Sequence, residues 1–289
     1  MKTILVTGAT GFLGHHVVNE LLMANDVNVI AIGGRPEDNA NELPQSNRLR
    51  FFPLEGLFSE NFQPIDVVIN CAFARSQDSE LLAQSFDFTE RMIHRFEAMN
   101  VDTVINISSQ GVYKRQRKGS LSSEQSPIAP IDIYSMAKYA TEKMFCMSNI
   151  PHVVNVRLAS LCMPQRFLYF FVEKAKSEEK FTLTAPNQYA ALLDVEDAAS
   201  GLVSIAKRQH TQKQDVYNLG IGTQYSMLEY AQSVKKIGQK MGYHVSFDVV
   251  DNGTTLCAGM NCSKLIKDTG WKPLVMKDEM ITNIFNQID

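Results

Sequence analysis

Lys2-Thr3-Ile4-Leu5-Val6-Thr7-Gly8-Ala9-Thr10-Gly11-Phe12-Leu13-Gly14 is the stretch whose reading decides the fold. Residues 2–6 are a short apolar run rich in β-branched side chains, the pattern of a buried strand. Beyond it Phe12, Leu13, Val17, Val18, Leu21 and Leu22 recur at the spacing of one buried helix face. The glycines between the two make the turn. A side chain there would keep a pyrophosphate away from the backbone N–H groups and from the positive end of the helix. Strand, glycine turn and helix together predict a dinucleotide cradle formed by Gly8, Thr10, Gly11, Phe12, Leu13 and Gly14.

A second motif lies almost half-way along, Tyr134-Ser135-Met136-Ala137-Lys138. Side chains four apart share one side of a helix, so the Lys138 ammonium can sit near the Tyr134 phenol. A phenol with a pKa of about 10 is a poor base at neutral pH, and a neighbouring cation favours its phenolate. Such a pair can give a proton to a carbonyl or take one from an alcohol while hydride passes to or from a nicotinamide. Upstream, Val104-Ile105-Asn106-Ile107 reads as a buried strand with Ser108-Ser109 at its C-terminal end. Open parallel sheets place their ligands there, and a hydroxyl at that point can hold a substrate oxygen against the tyrosine.

Glycines at 8, 11 and 14, one residue wider at the first gap than the usual dinucleotide fingerprint, resemble the extended branch of the short-chain dehydrogenase/reductase family. Ile107-Ser108-Ser109-Gln110-Gly111-Val112-Tyr113 is similar to that branch's serine motif. The resemblance implies a catalytic set of Ser109, Tyr134 and Lys138, with Lys138 also clamping the nicotinamide ribose and Ser108 structural. It runs along the whole chain. Asp66-Val67-Val68-Ile69-Asn70-Cys71-Ala72 resembles the fourth strand, and His152-Val153-Val154-Asn155-Val156-Arg157-Leu158 the sixth, which brings Cys71, Ala72, Phe73 and Leu158 beside the cofactor. Leu193 to Ala199, Val216 to Gly220 and Thr269-Gly270-Trp271-Lys272-Pro273 resemble later family motifs.

The implied fold is α/β: a Rossmann-type doubly wound parallel sheet with a smaller C-terminal α/β substrate lobe. Apolar strands alternate with helical stretches to about residue 160, as helices on both faces of a parallel sheet require. Strands are expected near 2–7, 27–32, 49–53, 66–70, 102–108 and 152–158, and helices near 12–24, 79–99, 132–148 and 196–208. The dinucleotide-binding domain then covers 1–160 plus about 190–220, and the substrate lobe about 161–190 and 221–289. The resemblance also implies a homodimer, usually formed through helices near 79–99 and 132–148.

Cofactor choice hangs on the end of the second strand, where an acid would accept the ribose hydroxyls of NAD and repel an added phosphate. Here Gly33 takes the acidic position and Arg35 follows, which favours NADP with NAD possible; Glu37 and Asp38 pull the other way. A net reductase usually draws on NADPH, so the expected reaction is reduction of a keto group on a nucleotide-linked sugar or a small polyol. The alternatives are a nucleotide-sugar epimerase retaining NAD, and a non-catalytic dinucleotide sensor acting on a partner protein. The resemblance argues against a sugar 4,6-dehydratase, since the family's dehydratases carry threonine, aspartate and glutamate where this chain has Ser109, Gln110 and Gly111, and water elimination needs that acid and base pair.

Phe73, Arg75, Gln110, Ser160 and Arg166 are expected to shape the substrate pocket. Family members that bind nucleotide sugars usually carry arginines at positions matching Ala190 and Leu256-Cys257-Ala258, and both are missing here. Arg166, Lys174, Lys176 and Lys264 are the replacements on offer for a diphosphate. Lys114-Arg115-Gln116-Arg117-Lys118 reads as a solvated loop, with grip on an anionic substrate as the lesser reading.

With 289 residues, 45% of them hydrophobic, the chain can bury a large core, and a net charge of −3 gives no sign of a nucleic-acid partner. Five cysteines without a Cys-x-x-Cys pair, and a first methionine leading straight into a strand, suggest a reducing cytoplasm. No apolar run approaches the ~20 residues of a membrane helix, and Phe167–Val172 is expected to wall the substrate cleft instead. His15-His16 has no companions at metal-ligand spacing, so no metal is expected.

Overall fold

The computed structural model describes residues 1–34, 43–62, 64–115 and 118–288. The opening motif folds as read: β1 (Lys2–Thr7) passes through the glycine turn into α1 (Phe12–Met23). There follow β2 (Val27–Gly33), β3 (Leu49–Pro53), α2 (Gly56–Ser59), β4 (Val67–Asn70), α3 (Ser79–Ala98), β5 (Thr103–Ser109), α4 (Ile133–Met147) and β6 (His152–Leu158). After them come β7 (Ser160–Leu161), α5 (Phe167–Lys176), β8 (Phe181–Leu183), β9 (Tyr189–Ala190), β10 (Leu192–Leu193), α6 (Val195–Lys207) and β11 (Gln214–Leu219). The chain ends with β12 (Tyr225–Ser226), α7 (Met227–Lys240), β13 (Phe247–Val249), α8 (Ser263–Thr269) and α9 (Lys277–Gln287).

One seven-stranded sheet, ordered β11-β6-β5-β4-β1-β2-β3 with every neighbouring pair parallel, carries the molecule. Parallel strands need crossovers, and alternate side chains send helices to both faces. Ile4 and Val6 pack with Val17, Val18 and Leu21 of α1 and Leu202 of α6 on one face. Leu5 points the other way, into Met92 and Phe96 of α3 and Phe145 of α4. A third apolar cluster is built by α5, α7 and α9 around Leu168, Phe171, Tyr230, Val234, Ile281 and Phe285.

The six expected strands fall where their apolar runs placed them, and β11 adds a seventh at the sheet's edge. Its opening Gln214-Asp215 gives no apolar signal. The sheet's register is pinned by a buried polar ladder. Thr7 Oγ1 donates to Asn70 Oδ1 at 2.6 Å, Asn70 Nδ2 to Asn106 Oδ1 at 3.1 Å, and Asn106 Nδ2 to Asn155 Oδ1 at 2.8 Å. These four residues face one another across β1, β4, β5 and β6. A one-residue slip would strand each amide without a partner.

Candidate active site

The turn after β1 needs glycine for two separate reasons. Gly8 sits at φ +66°, and a Cβ at Gly14 would lie 2.1 Å from the Gly8 carbonyl oxygen, so both positions are fixed by the backbone itself. A Cβ at Gly11 would meet that oxygen at 3.2 Å and nothing else close, which leaves the space beside it to a ligand. Gly11 caps α1 without a side-chain hydrogen bond, and the first turn holds no acid. Its N–H groups therefore face the cleft un-neutralised, as a pyrophosphate requires. Thr10 works from behind, its Oγ1 accepting from Gly34 N–H at 3.1 Å and closing the turn against β2; it does not line the cleft.

Gly8, Gly11, Gly14, Ser109, Tyr134 and Lys138 line one cleft of about 340 Å³. Phe12, Leu13, Cys71, Phe73 and Leu158 complete its walls. Past Phe73 a largely apolar slot of about 310 Å³ runs over Gly33, Gly34, Leu54, Ala72, Leu81 and Phe88 to the end of β2. In the other direction, past Arg75, Ser109 and Ser160, lies a third compartment of about 310 Å³ with Gln110, Arg115, Arg166 and Tyr189 in its walls. The groove is thus long enough to seat a dinucleotide and a second ligand end to end. Arg35, Glu37 and Asp38, on which the NADP expectation turned, lie outside the described residues; Gly33 is described, and among the described residues no carboxylate lines its compartment.

Asp132 caps α4 by accepting from Ser135 N–H at 2.8 Å, which puts Tyr134 in the first turn at the cleft mouth and Lys138 one turn deeper. The serine turn is pressed against this helix, since a Cβ at Gly111 would lie 2.2 Å from Ser135 Oγ. Burial raises the Tyr134 pKa above its ordinary value, and Arg75 is the cation that pulls it back. Lys138 is buried, which lowers its pKa to about 8, and its ammonium lies 4.3 Å from the centre of the Phe73 ring. That ring stands edge-on to Tyr134 with centroids 6.3 Å apart. The sequence pointed to Lys138 as the charge acting on the phenol; Arg75 is a second cation that acts on it. Burial pushes the Cys71 thiol up to about 12, so it stays protonated.

Beneath the cleft is a network that the sequence reading missed. Arg157 on β6 donates to Glu142 on α4 from Nε at 3.0 Å and from Nη2 at 2.8 Å, both side chains being almost fully buried. Ser108 Oγ donates to the same carboxylate, and Arg157 Nη1 donates to the Tyr113 hydroxyl, which donates in turn to Asn218 Oδ1 on β11. Ser108 lines the cleft yet spends its hydroxyl on Glu142. A charged residue inside the apolar run 152–158 was the available signal, because a buried guanidinium demands a partner.

Of the cations offered for a diphosphate, Arg166 lines the third compartment. Lys174 pairs with Glu179, Lys176 donates to the Ile288 carbonyl and Lys264 pairs with Asp215, so these three are engaged elsewhere. Ala190, Leu256 and Ala258, which replace the expected arginines, do face this compartment. Arg115 faces it too, and Lys118 lies 5.0 Å from the Tyr189 ring, so the basic loop borders the site; Gln116 and Arg117 lie outside the described residues. Phe167 walls the cleft as expected, while Leu168, Phe171 and Val172 belong to the third apolar cluster. Among the described residues no group of three or more His, Cys, Asp or Glu is placed to hold a metal, and no helix is long and apolar enough to cross a membrane.

Comparison with known proteins agrees with this geometry. The chain is 22% identical over 308 residues to a putative UDP-glucose 4-epimerase of Methanocaldococcus jannaschii, covering 98% of this chain and 97% of that protein. It is 26% identical to the UDP-glucose 4-epimerase of Lactobacillus helveticus, covering 93% and 92%. Its fold matches the crystal structure of UDP-glucuronic acid 4-epimerase from Bacillus cereus in complex with UDP-glucuronic acid and NAD, with a TM-score of 0.81, 20% identity and 98% of each chain covered. Residues 4–220 match the model of the NAD dependent epimerase/dehydratase family, and the chain belongs to that family.

Proposed function

We propose that this protein is an NAD-dependent epimerase of a nucleotide-linked sugar, oxidising one ring alcohol and re-reducing the ketone from its other face. The observation that carries the reading is the convergence of Ser109, Tyr134 and Lys138 on one cleft, continuous with the glycine turn on one side and a polar compartment on the other. Several of the relatives matched along most of their length are epimerases, which supports this reading over the net reductase that Gly33 and Arg35 first favoured, although a dTDP-sugar reductase matches over 39% of the chain.

The un-neutralised first turn of α1 and the space beside Gly11 would hold the pyrophosphate, and the slot past Phe73 the adenosine. The dinucleotide, when bound, supplies the acceptor and later the donor of hydride. Ser109 Oγ holds the substrate oxygen. Tyr134, as its phenolate, takes the hydroxyl proton as the carbon loses hydride, and the resulting phenol returns that proton when the ketone is reduced. Since burial raises this phenol's pKa, the phenolate needs cations: Arg75, whose charge pulls the pKa back, and Lys138, one turn deeper on the same helix, would supply them. Residues 1–160 with 190–220 form the dinucleotide domain in this proposal, and 161–190 with 221–289 the substrate lobe.

A wall of small side chains, Ala190 and Ala258 with Gly111, supports an epimerase further, because a keto-sugar must turn over in place to present its second face. The test is incubation with UDP-glucose and UDP-glucuronate and a sub-stoichiometric amount of NAD, followed by proton NMR. Interconversion of epimers without net NADH is the expected result. Stoichiometric consumption of NADPH with a keto-sugar would instead establish the reductase, the reading favoured by the absence of an acid at Gly33.

A further inference from the structure

Three guanidinium groups, Arg75, Arg115 and Arg166, line the third compartment. They come from three separate segments: the loop after β4, the basic loop after β5 and the N-cap of α5. Among the described residues no carboxylate pairs with any of them. The polar contact Arg75 does make is from Nη1 to the thioether of Met163 at 3.0 Å, a weak acceptor for a group with five donors. Partial burial and then the charge of Arg166 lower the Arg75 pKa, so the two cations feel each other across the cleft. All three are exposed to solvent, and their summed positive potential makes the compartment attractive to an anion.

The backbone brings Arg166 there by an unusual route. Gln165 adopts φ +63°, a left-handed conformation that non-glycine residues rarely take, immediately before Arg166 caps the ten-residue α5 without a side-chain hydrogen bond. On the opposite wall Gln110 Nε2 donates to Ser160 Oγ at 2.7 Å, leaving its Oε1 buried and without a partner among the described residues. That acceptor is closed off from solvent, so what the compartment offers an incoming ligand is its three cations.

Building on the nucleotide-sugar reading above, we propose that the sugar is acidic: Arg75, assisted by Arg166, grips a carboxylate on the ring carbon next to the one that is oxidised. Position identifies the anion. Arg75 lines both the compartment that holds Tyr134 and the substrate compartment, whereas Arg115 and Arg166 line the substrate compartment and not the Tyr134 cleft. The diphosphate of a nucleotide sugar lies across the ring from such a reacting carbon, so an oxyanion within reach of Arg75 at the phenol belongs to the ring itself.

The experiment compares UDP-glucuronate with UDP-glucose, which differ at that carboxylate and share the diphosphate, on the NAD-loaded protein. The ratio of kcat/KM for the acidic over the neutral sugar is measured in the wild type, Arg75→Gln and Arg75→Lys. We expect the wild type to prefer UDP-glucuronate and the ratio to fall roughly tenfold or more in Arg75→Gln, as loss of a charge-assisted hydrogen bond predicts. Arg75→Lys, which keeps the charge without the fork, lies between. An unchanged ratio in Arg75→Gln, or a wild type that prefers UDP-glucose, overturns the assignment while leaving the epimerase standing. Failure to turn over or bind either nucleotide sugar removes the epimerase reading and this inference with it.

Discussion

Lys138 shows what the proposed chemistry costs. Its ammonium is 4% exposed, and burial lowers its pKa from 10.5 to about 8. Below pH 8 the folded protein carries the whole penalty of an under-solvated cation. Between about 8 and 10.5 the unfolded chain binds more protons than the native one, so this contribution to stability rises with pH across that window. The shift corresponds to a penalty of about 3 kcal/mol at neutral pH, an order-of-magnitude figure. Lys138→Met should therefore melt several degrees above the wild type at pH 7, with the gap closing toward pH 10, and should be inactive. Thermal melts across that range decide it; a variant that melts lower at pH 7 would show the ammonium to be stabilising. Tyr134→Phe keeps the cleft's shape and removes the proton carrier. Turnover should drop by about a thousandfold while NAD affinity, read by calorimetry, stays near that of the wild type.

At the scale of elements, the glycine turn separates what the fold demands from what a ligand demands. Gly14→Ala puts a methyl 2.1 Å from a backbone carbonyl that cannot retreat, so both melting temperature and NAD affinity should fall. Gly11→Ala meets that oxygen at 3.2 Å and otherwise enters open cleft, so stability should hold while affinity drops; equal loss of stability in the two variants would refute the distinction. Under the same cleft, Glu142→Gln leaves Arg157 buried against a neutral partner and should cost about 3–5 kcal/mol in denaturant titrations. The glycine turn, the six apolar strands and the Tyr134–Lys138 helix were legible in the sequence because each is a local pattern of period 2 or 3.6. The Glu142–Arg157 pair was not, and Arg115 in the pocket was open only as the lesser reading of its basic loop. Both depend on long-range approach, of β6 to α4 in one case and of a basic loop to residues near 189 and 256 in the other, and no local periodicity encodes that. Gly33 was legible as the acid-free end of β2, but its bearing on cofactor choice depends on the neighbouring Arg35.

Across the whole molecule the arrangement makes a claim about the fate of hydrogen. The cleft proposed for the dinucleotide and the compartment proposed for the substrate meet at Arg75, Ser109, Ser160 and Leu161, with the Tyr134 phenol in the cleft. If the ketone is held there by Ser109 and Arg75 until it is re-reduced, the hydrogen taken from the ring carbon has no exit and returns to the carbon it left. A nucleotide sugar deuterated at that carbon should then give an epimer that keeps its label, with the rate lowered if hydride transfer limits turnover. A reductase working through exchanging NADPH would instead deliver its hydrogen from the cofactor pool, leaving the product's label set by the cofactor supplied. Mass spectrometry of the product separates the two outcomes. Loss of label to added NAD during turnover would mean that cofactor leaves between the two transfers, which a retained-cofactor epimerase does not allow.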